Sequence, residues 1–392
     1  MGAGIKNALH LESAFFFDMT CNEIFKYLEN WAPKEIAWKN DNVGLQVGSA
    51  SREVENIILC LEVNMQVIEQ AIKKKCNLII SHHPLIFHPL KKIDVGRNKD
   101  SVIIEKLIKN DITLYSAHTN LDFTKDGVSF ELAKKLKLQN IKFLANLPSN
   151  QFKLTVFVPE KSLEKVSEAM FNAGGGNIGK YSQCSFRLKG EGTFLGSEKS
   201  KPVVGEKNKA EKVEEVRLEI VVNSYDLKNV ISAMLKAHPY EEPAYDVYPL
   251  SNSGTNTGAG AIGELKEAMD QRTFLKYVSD SINARNLRFT EGKKTKIKKV
   301  AVCGGSGSDM ISTSISEGAD AFITADIKYH TFHDAKDEIL LIDAGHYETE
   351  IHALDEVERR LKKYTGDKSS IKIFKFSGST NPVLFYNNNK EK

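Results

Sequence analysis

Asn77-Leu78-Ile79-Ile80-Ser81-His82-His83-Pro84 sets two adjacent imidazoles at the end of a short apolar run. Leu78-Ile79-Ile80 reads as a buried strand, and Pro84, which has no N–H to give a ladder, stops it. The histidines therefore stand where a strand gives way to a loop, the place where open α/β sheets bind their ligands. Neighbouring side chains on extended backbone point to opposite sides. His82 and His83 would serve one metal only if the backbone turns there, but could serve two neighbouring metals readily. A dinuclear centre is the sharper reading; a hydrogen-bonded core histidine beside a solvent-exposed one is the plainer alternative. Carboxylates and histidines elsewhere in the chain decide between them.

Around this stretch the pattern alternates strand and helix. Ile24, Phe25 and Leu28 recur at helical spacing over 20–31, where Thr20 and Glu23 form a capping box. Strands over 57–60, 78–80 and 113–116 are separated by helices over 64–75 and 101–110, which predicts βαβ units and a parallel or mixed sheet. A second αβ block occupies the C-terminal third: strands over 299–303, 321–324 and 339–342, a helix over 309–317, and a long helix over 347–364. Placing Cys60 on Cys303 without a gap brings Leu78-Ile79-Ile80-Ser81 onto Ala321-Phe322-Ile323-Thr324. His82-His83 then falls on Ala325-Asp326. The fold class read from this is α/β: two similar halves, 20–148 and 260–386, forming one metal-binding domain.

The stretch between the halves, 151–250, reads strand-helix-strand-strand-helix-strand, the βαββαβ order of a ferredoxin-like insertion. Within it, 196–214 is polar and Lys-rich and is expected to be a solvated, mobile loop. Ser251 to Gly260 reads as the linker out, and the basic run 293–299 as a surface turn.

At 392 residues the chain is long for one core. The 54 basic and 51 acidic residues leave a net charge of +3, which gives no argument for nucleic acid or for a membrane surface. No apolar run approaches the length of a bilayer span. The five cysteines are odd in number, dispersed and without CxxC spacing, as expected of reduced thiols in a cytoplasmic protein. The segment before Met19, with Phe15-Phe16-Phe17, is too short and too interrupted for a secretory signal and is read as a leader.

His118 and Asp122, and likewise His346 and Glu350, each set an imidazole and a carboxylate four residues apart just after a strand. On a helix that spacing puts both on one face, and the donor types suit Zn, Mn or Fe(II). With His82 and His83, six such groups occur at the ends of strands. Glu350 could bridge two divalent cations, and a water between them would become acidic enough to supply hydroxide at neutral pH. That is hydrolytic chemistry. Cys303-Gly304-Gly305-Ser306-Gly307-Ser308-Asp309 could cradle a phosphate, but it lacks a P-loop ending and reads as a tight turn near the cleft. His88, His238, His330 and His333 read as loop surface.

The assembled motifs resemble the NIF-three-like dinuclear metal-centre hexameric family, also named GTP cyclohydrolase 1 type 2 homologues. They are Asp41-Asn42-Val43-Gly44-Leu45-Gln46-Val47-Gly48, Ser81-His82-His83-Pro84-Leu85-Ile86-Phe87, Ala117-His118-Thr119-Asn120-Leu121-Asp122 and Asp343-Ala344-Gly345-His346-Tyr347-Glu348-Thr349-Glu350. The middle unit, with His238-Pro239-Tyr240-Glu241-Glu242-Pro243, resembles the ferredoxin-like domain of the longer members. The resemblance implies metal ligands at His82, His83, Asp122, His346 and Glu350, with His118 a further ligand or proton relay. It also implies a toroidal homohexamer with two divalent ions per subunit, and opening of the guanine ring of GTP with loss of formate. Two other readings stay open: a dinuclear phosphoesterase or nuclease acting on nucleotides, and a non-catalytic metal-binding regulatory assembly.

Overall fold

In the computed structural model the described residues run from 19 to 386, apart from 149, 180, 202 and 367–369, and the side chains of 253–255 are not described. The leader lies outside the described residues. The chain divides into two units, Asn146–Asn256 and the remainder on either side of it.

The larger unit holds two sheets. One has the strand order Gly44–Val47, Thr113–Ser116, Leu78–Ser81, Asn56–Cys60, Lys372–Lys375, parallel except for the first pair. The other has the order Arg288–Thr290, Leu340–Asp343, Ala321–Ala325, Lys296–Ser306, Ser253–Asp270, Gln139–Pro148, with a parallel core of Leu340–Asp343, Ala321–Ala325 and Lys296–Ser306. The internal repeat extends further than the sequence pattern suggests. From helix Cys21–Trp31 to strand Gln139–Pro148, and again from helix Gln271–Ile282 to strand Lys372–Lys375, the succession of helices and strands is the same. The ladders keep the ungapped alignment, with Ile57 opposite Leu78 in one sheet and Val300 opposite Ala321 in the other.

The two repeats exchange their last elements. Helix Val128–Lys135 packs Phe130, Leu132 and Ala133 with Val300, Val302 and Ile323 of the second sheet. Helix Ala353–Thr365 packs Leu354, Val357 and Leu361, an i, i+3, i+7 stripe, with Ile57, Leu59 and Leu78 of the first. Burying each such aliphatic side chain is worth about 1.5–3 kcal/mol, so the exchange joins the repeats into one unit. The long helix expected over 347–364 is two helices, His346–Glu350 and Ala353–Thr365.

The second unit is a four-stranded antiparallel sheet in the order Phe186–Leu195, Ala210–Asn223, Gln151–Pro159, Tyr245–Pro249. Helices Leu163–Asn172 and Ser224–Ala237 supply Val166, Met170, Val230 and Met234 to its core. Part of the segment expected to be a loop is strand: Ala210 pairs with Leu195 and Glu214 with Glu191. The linker is likewise the start of strand Ser253–Asp270. Its glycines serve close approach, because a Cβ on Gly258 would lie 2.5 Å from the Phe143 ring. The basic run turns into strand at Lys296, and Lys294 is paired with buried Asp320 at 2.5 Å. His238 is buried rather than on the surface, with Nε2 3.0 Å from the Phe157 carbonyl. Among the described residues no helix is long and apolar enough to cross a membrane.

Candidate metal centre

His82 and His83 follow directly on the central strand Leu78–Ser81. The ladder continues past it, with His82 N donating to Cys60 O at 3.1 Å and His83 N to Leu61 O at 2.9 Å. Ser81 Oγ donates to His83 O at 2.9 Å and lies 2.8 Å from Ser116 Oγ, which draws the backbone into a turn. Both rings consequently face Glu350: His82 Nε2 lies 3.8 Å from Oε1 and His83 Nε2 3.1 Å from Oε2. The opposed orientation of extended backbone does not hold here.

The other groups come from the two short helices that follow the fourth strand of each repeat. His118 precedes helix Thr119–Asp122, and His346 opens helix His346–Glu350. His346 Nε2 is 3.0 Å from Glu350 Oε1, and Asp122 Oδ1 is 3.6 Å from His82 Nε2. Among the described residues, two sets of donor atoms lie close enough to hold an ion, His82 with His83 and His118, and His83 with His346 and Glu350. All six residues singled out from the sequence meet here. Asp122 stands beside His82, outside both sets.

The far nitrogen of every imidazole is already engaged. His82 Nδ1 donates to Ala117 O at 2.8 Å. The Nδ1 atoms of His83, His118 and His346 sit 3.0, 2.9 and 2.6 Å from carboxylate oxygens of Glu62, Asp41 and Asp326. Holding one ring nitrogen in this way orients the other toward a metal and raises its basicity. The convergent side is short of donors: buried His82 Nε2 and Asp122 Oδ1 have no hydrogen-bond partner among the described residues. Glu350 Oε2 also lacks one, close to His83 Nε2 but not aligned with it. Buried polar atoms left unpaired cost about 1–3 kcal/mol each. Divalent cations at the two donor sets would engage His82 Nε2 and the Glu350 carboxylate, so the residues fit such ions.

The electrostatics follow from this crowding. Burial disfavours a charge on His83, but the Glu350 and Glu62 carboxylates outweigh it and lift its pKa to about 10. His346 rises to about 9 against the same penalty, through Glu350 and Asp326. Burial pushes Asp122 up to about 7, although His82 opposes it. Burial works against ionised Glu350 too, yet the surrounding imidazoles hold it well below the usual range. Metal must displace protons from His83 and His346, so loading at pH 7.5 is expected to release protons. Calorimetry in buffers of different ionisation enthalpy measures the release, and binding should tighten as pH rises toward 9.

Similarity to known proteins gives the family. The family model for Duf34/NIF3 (NGG1p interacting factor 3) matches residues 19–382. The chain belongs to the Duf34/NIF3 family. Proteins named GTP cyclohydrolase 1 type 2 homolog from Halalkalibacterium halodurans and Bacillus subtilis are each 39% identical to it. The alignments cover 92% and 93% of this chain and 98% of each relative. A Bacillus cereus crystal structure described as a protein related to NIF3 has a TM-score of 0.78 at 38% identity, covering 94% of this chain and 99% of that one.

In this Duf34/NIF3 chain, sequence reasoning overlooked the supporting carboxylates. Glu62 and Asp326 each lie just beyond the end of a parallel strand, and Asp41 sits in a polar turn, where single acidic residues are too common to stand out. Asp41 also accepts from Thr119 N and Oγ1 at 3.1 and 2.5 Å. These contacts, together with His118, bring its pKa down to about 2 in spite of burial. Glu62→Gln is expected to weaken metal affinity about 10–100-fold, measured by competition with a chromophoric chelator. The Gly-rich stretch also has another role. Strand Lys296–Ser306 runs through it, and Gly305 N donates to Thr349 Oγ1 at 3.0 Å beside Glu350.

Proposed function

We propose that this chain is a metal-dependent hydrolase whose centre holds two divalent ions, Zn, Fe or Mn, with ring opening of GTP as the candidate reaction. One observation carries the reading: four imidazoles with their outer nitrogens engaged come together, three of them on buried Glu350, where His82 Nε2 and Glu350 Oε2 lack a hydrogen-bond partner among the described residues. The names of the H. halodurans and B. subtilis relatives, GTP cyclohydrolase 1 type 2 homolog, support GTP as the candidate.

Bound cations would supply Lewis acidity and an acidified water. The chain's own residues do the rest. Glu350, set between His82, His83 and His346, is the group to share two ions. His118, its Nδ1 held by Asp41, would be a further ligand beside His82 and His83 through Nε2. Burial of His82 and Glu350 keeps bulk water from competing for the donors.

The test is incubation of metal-loaded protein with GTP. Formate and a ring-opened product are expected; neither appearing would remove GTP cyclohydrolase activity, and released phosphate or nucleoside monophosphate would move the reaction to phosphorus. The homohexamer belongs to the same proposal, and light scattering should give a mass six times that of the 43.8 kDa chain.

A further inference from the structure

A cavity of about 620 Å³ opens beside the metal centre, with His83 and His346 in its lining. That is within the usual range for a small-molecule site. Its carboxylates are already committed: Glu62 to His83 and Thr380, Asp326 to His346, Asp343 to Arg288, and Glu348 to Asn381. Of its two arginines, Arg288 is held by Asp343. Arg285 also lines the cavity, exposed, and has no acidic partner among the described residues.

The opposite wall is apolar and comes from the C-terminal segment. Thr380 Oγ1 donates to Glu62, and Asn381 Nδ2 to Glu348 Oε1 at 3.1 Å. These two bonds lead the chain past the cavity, where Val383 and Phe385 line it with more than half of their surface still exposed. Tyr347, next to the ligand His346, adds a second ring.

We propose that this cavity binds a nucleoside phosphate, with Arg285 as the anion-binding residue and Phe385 and Tyr347 as the faces for the base. The inference rests on the metal-centre reading, because it sets the ligand beside His83 and His346. A guanidinium without a carboxylate suits phosphate oxygens, which it can hold through paired N–H donors. Aromatic faces suit a flat heterocycle of any sequence or substituent pattern.

The test is calorimetric binding of GTP and of guanosine to metal-loaded wild type, Arg285→Gln and Phe385→Ala, with metal content measured on each sample. Wild type should bind GTP more tightly than guanosine. Arg285→Gln should weaken GTP about 10-fold or more and leave guanosine unchanged; Phe385→Ala should weaken both about 5-fold or more. All three should retain their metal. The proposal is overturned if metal-loaded wild type binds neither compound, if Arg285→Gln leaves the ratio of the two affinities unchanged, or if that variant loses metal. Binding of GTP without turnover would instead count against the hydrolase and support the binding site.

Discussion

Glu350→Gln is expected to empty the metal centre while the protein remains folded. The substitution keeps the size of a side chain that is 3% exposed but removes the charge on which three imidazoles converge. An amide offers one weak acceptor where the carboxylate offers two oxygens for two ions, so metal affinity should fall more than about 100-fold, beyond the effect of losing a supporting group. Turnover should fall with it. Without metal the same change acts on stability in a pH-dependent way. Depressed Glu350 contributes fully above its unfolded value of 4.5, a contribution lost as pH falls through the folded pKa. Raised His83 and His346 contribute fully below 6.5, and that contribution is lost as pH rises through about 9 and about 10. Metal-free wild type should therefore exceed Glu350→Gln in stability most between about pH 4.5 and 6.5. The difference should shrink as pH rises through about 9 and about 10, read from denaturant midpoints. Metal binding runs the other way, tightening with pH.

Gly305→Ala should be nearly as damaging, for a steric reason. Gly305 has φ +63°, and a Cβ there would lie 2.3 Å from Glu350 Oε1 and 3.2 Å from His346 Nε2. The backbone conformation alone costs a non-glycine residue about 1–3 kcal/mol. The new methyl also occupies the place of the Glu350 carboxylate, so metal should be lost along with stability. Gly318→Ala separates the two effects. Gly318 has φ +74° but open space around it, its nearest contact being Lys299 Nζ at 4.0 Å. It should bear the backbone cost and keep its metal. Equal metal content in both variants would show that Gly305 does not shape the site.

The site was legible in the sequence because its parts are local. His82-His83 ends a strand, and the His118/Asp122 and His346/Glu350 pairs each fit on one helical turn, so short spacing reveals them. The repeat was legible where apolar strands align, from Cys60 with Cys303 to Ser81 with Thr324. What escaped depends on distant packing. Helix Val128–Lys135 is amphipathic enough to signal a buried face, but nothing in its own residues says that the face belongs to the second sheet. The start of strand Ala210–Asn223 was read as loop, because the positions there that share a face with buried Val216 and Leu218 are Lys212 and Glu214, exposed on a hairpin. Gly258 resembled a flexible linker residue because the Phe143 ring it admits is far away in sequence.

The central claim is that both repeats surround one pair of cations, and anomalous diffraction from metal-soaked crystals at the metal's absorption edge tests it most directly. Two peaks are expected within about 2.0–2.3 Å of ligand atoms, one at His82, His83 and His118 and the other at His346, with Glu350 between them. Loaded crystals with no peak at this cluster, or with the metal bound elsewhere on the chain, would contradict it.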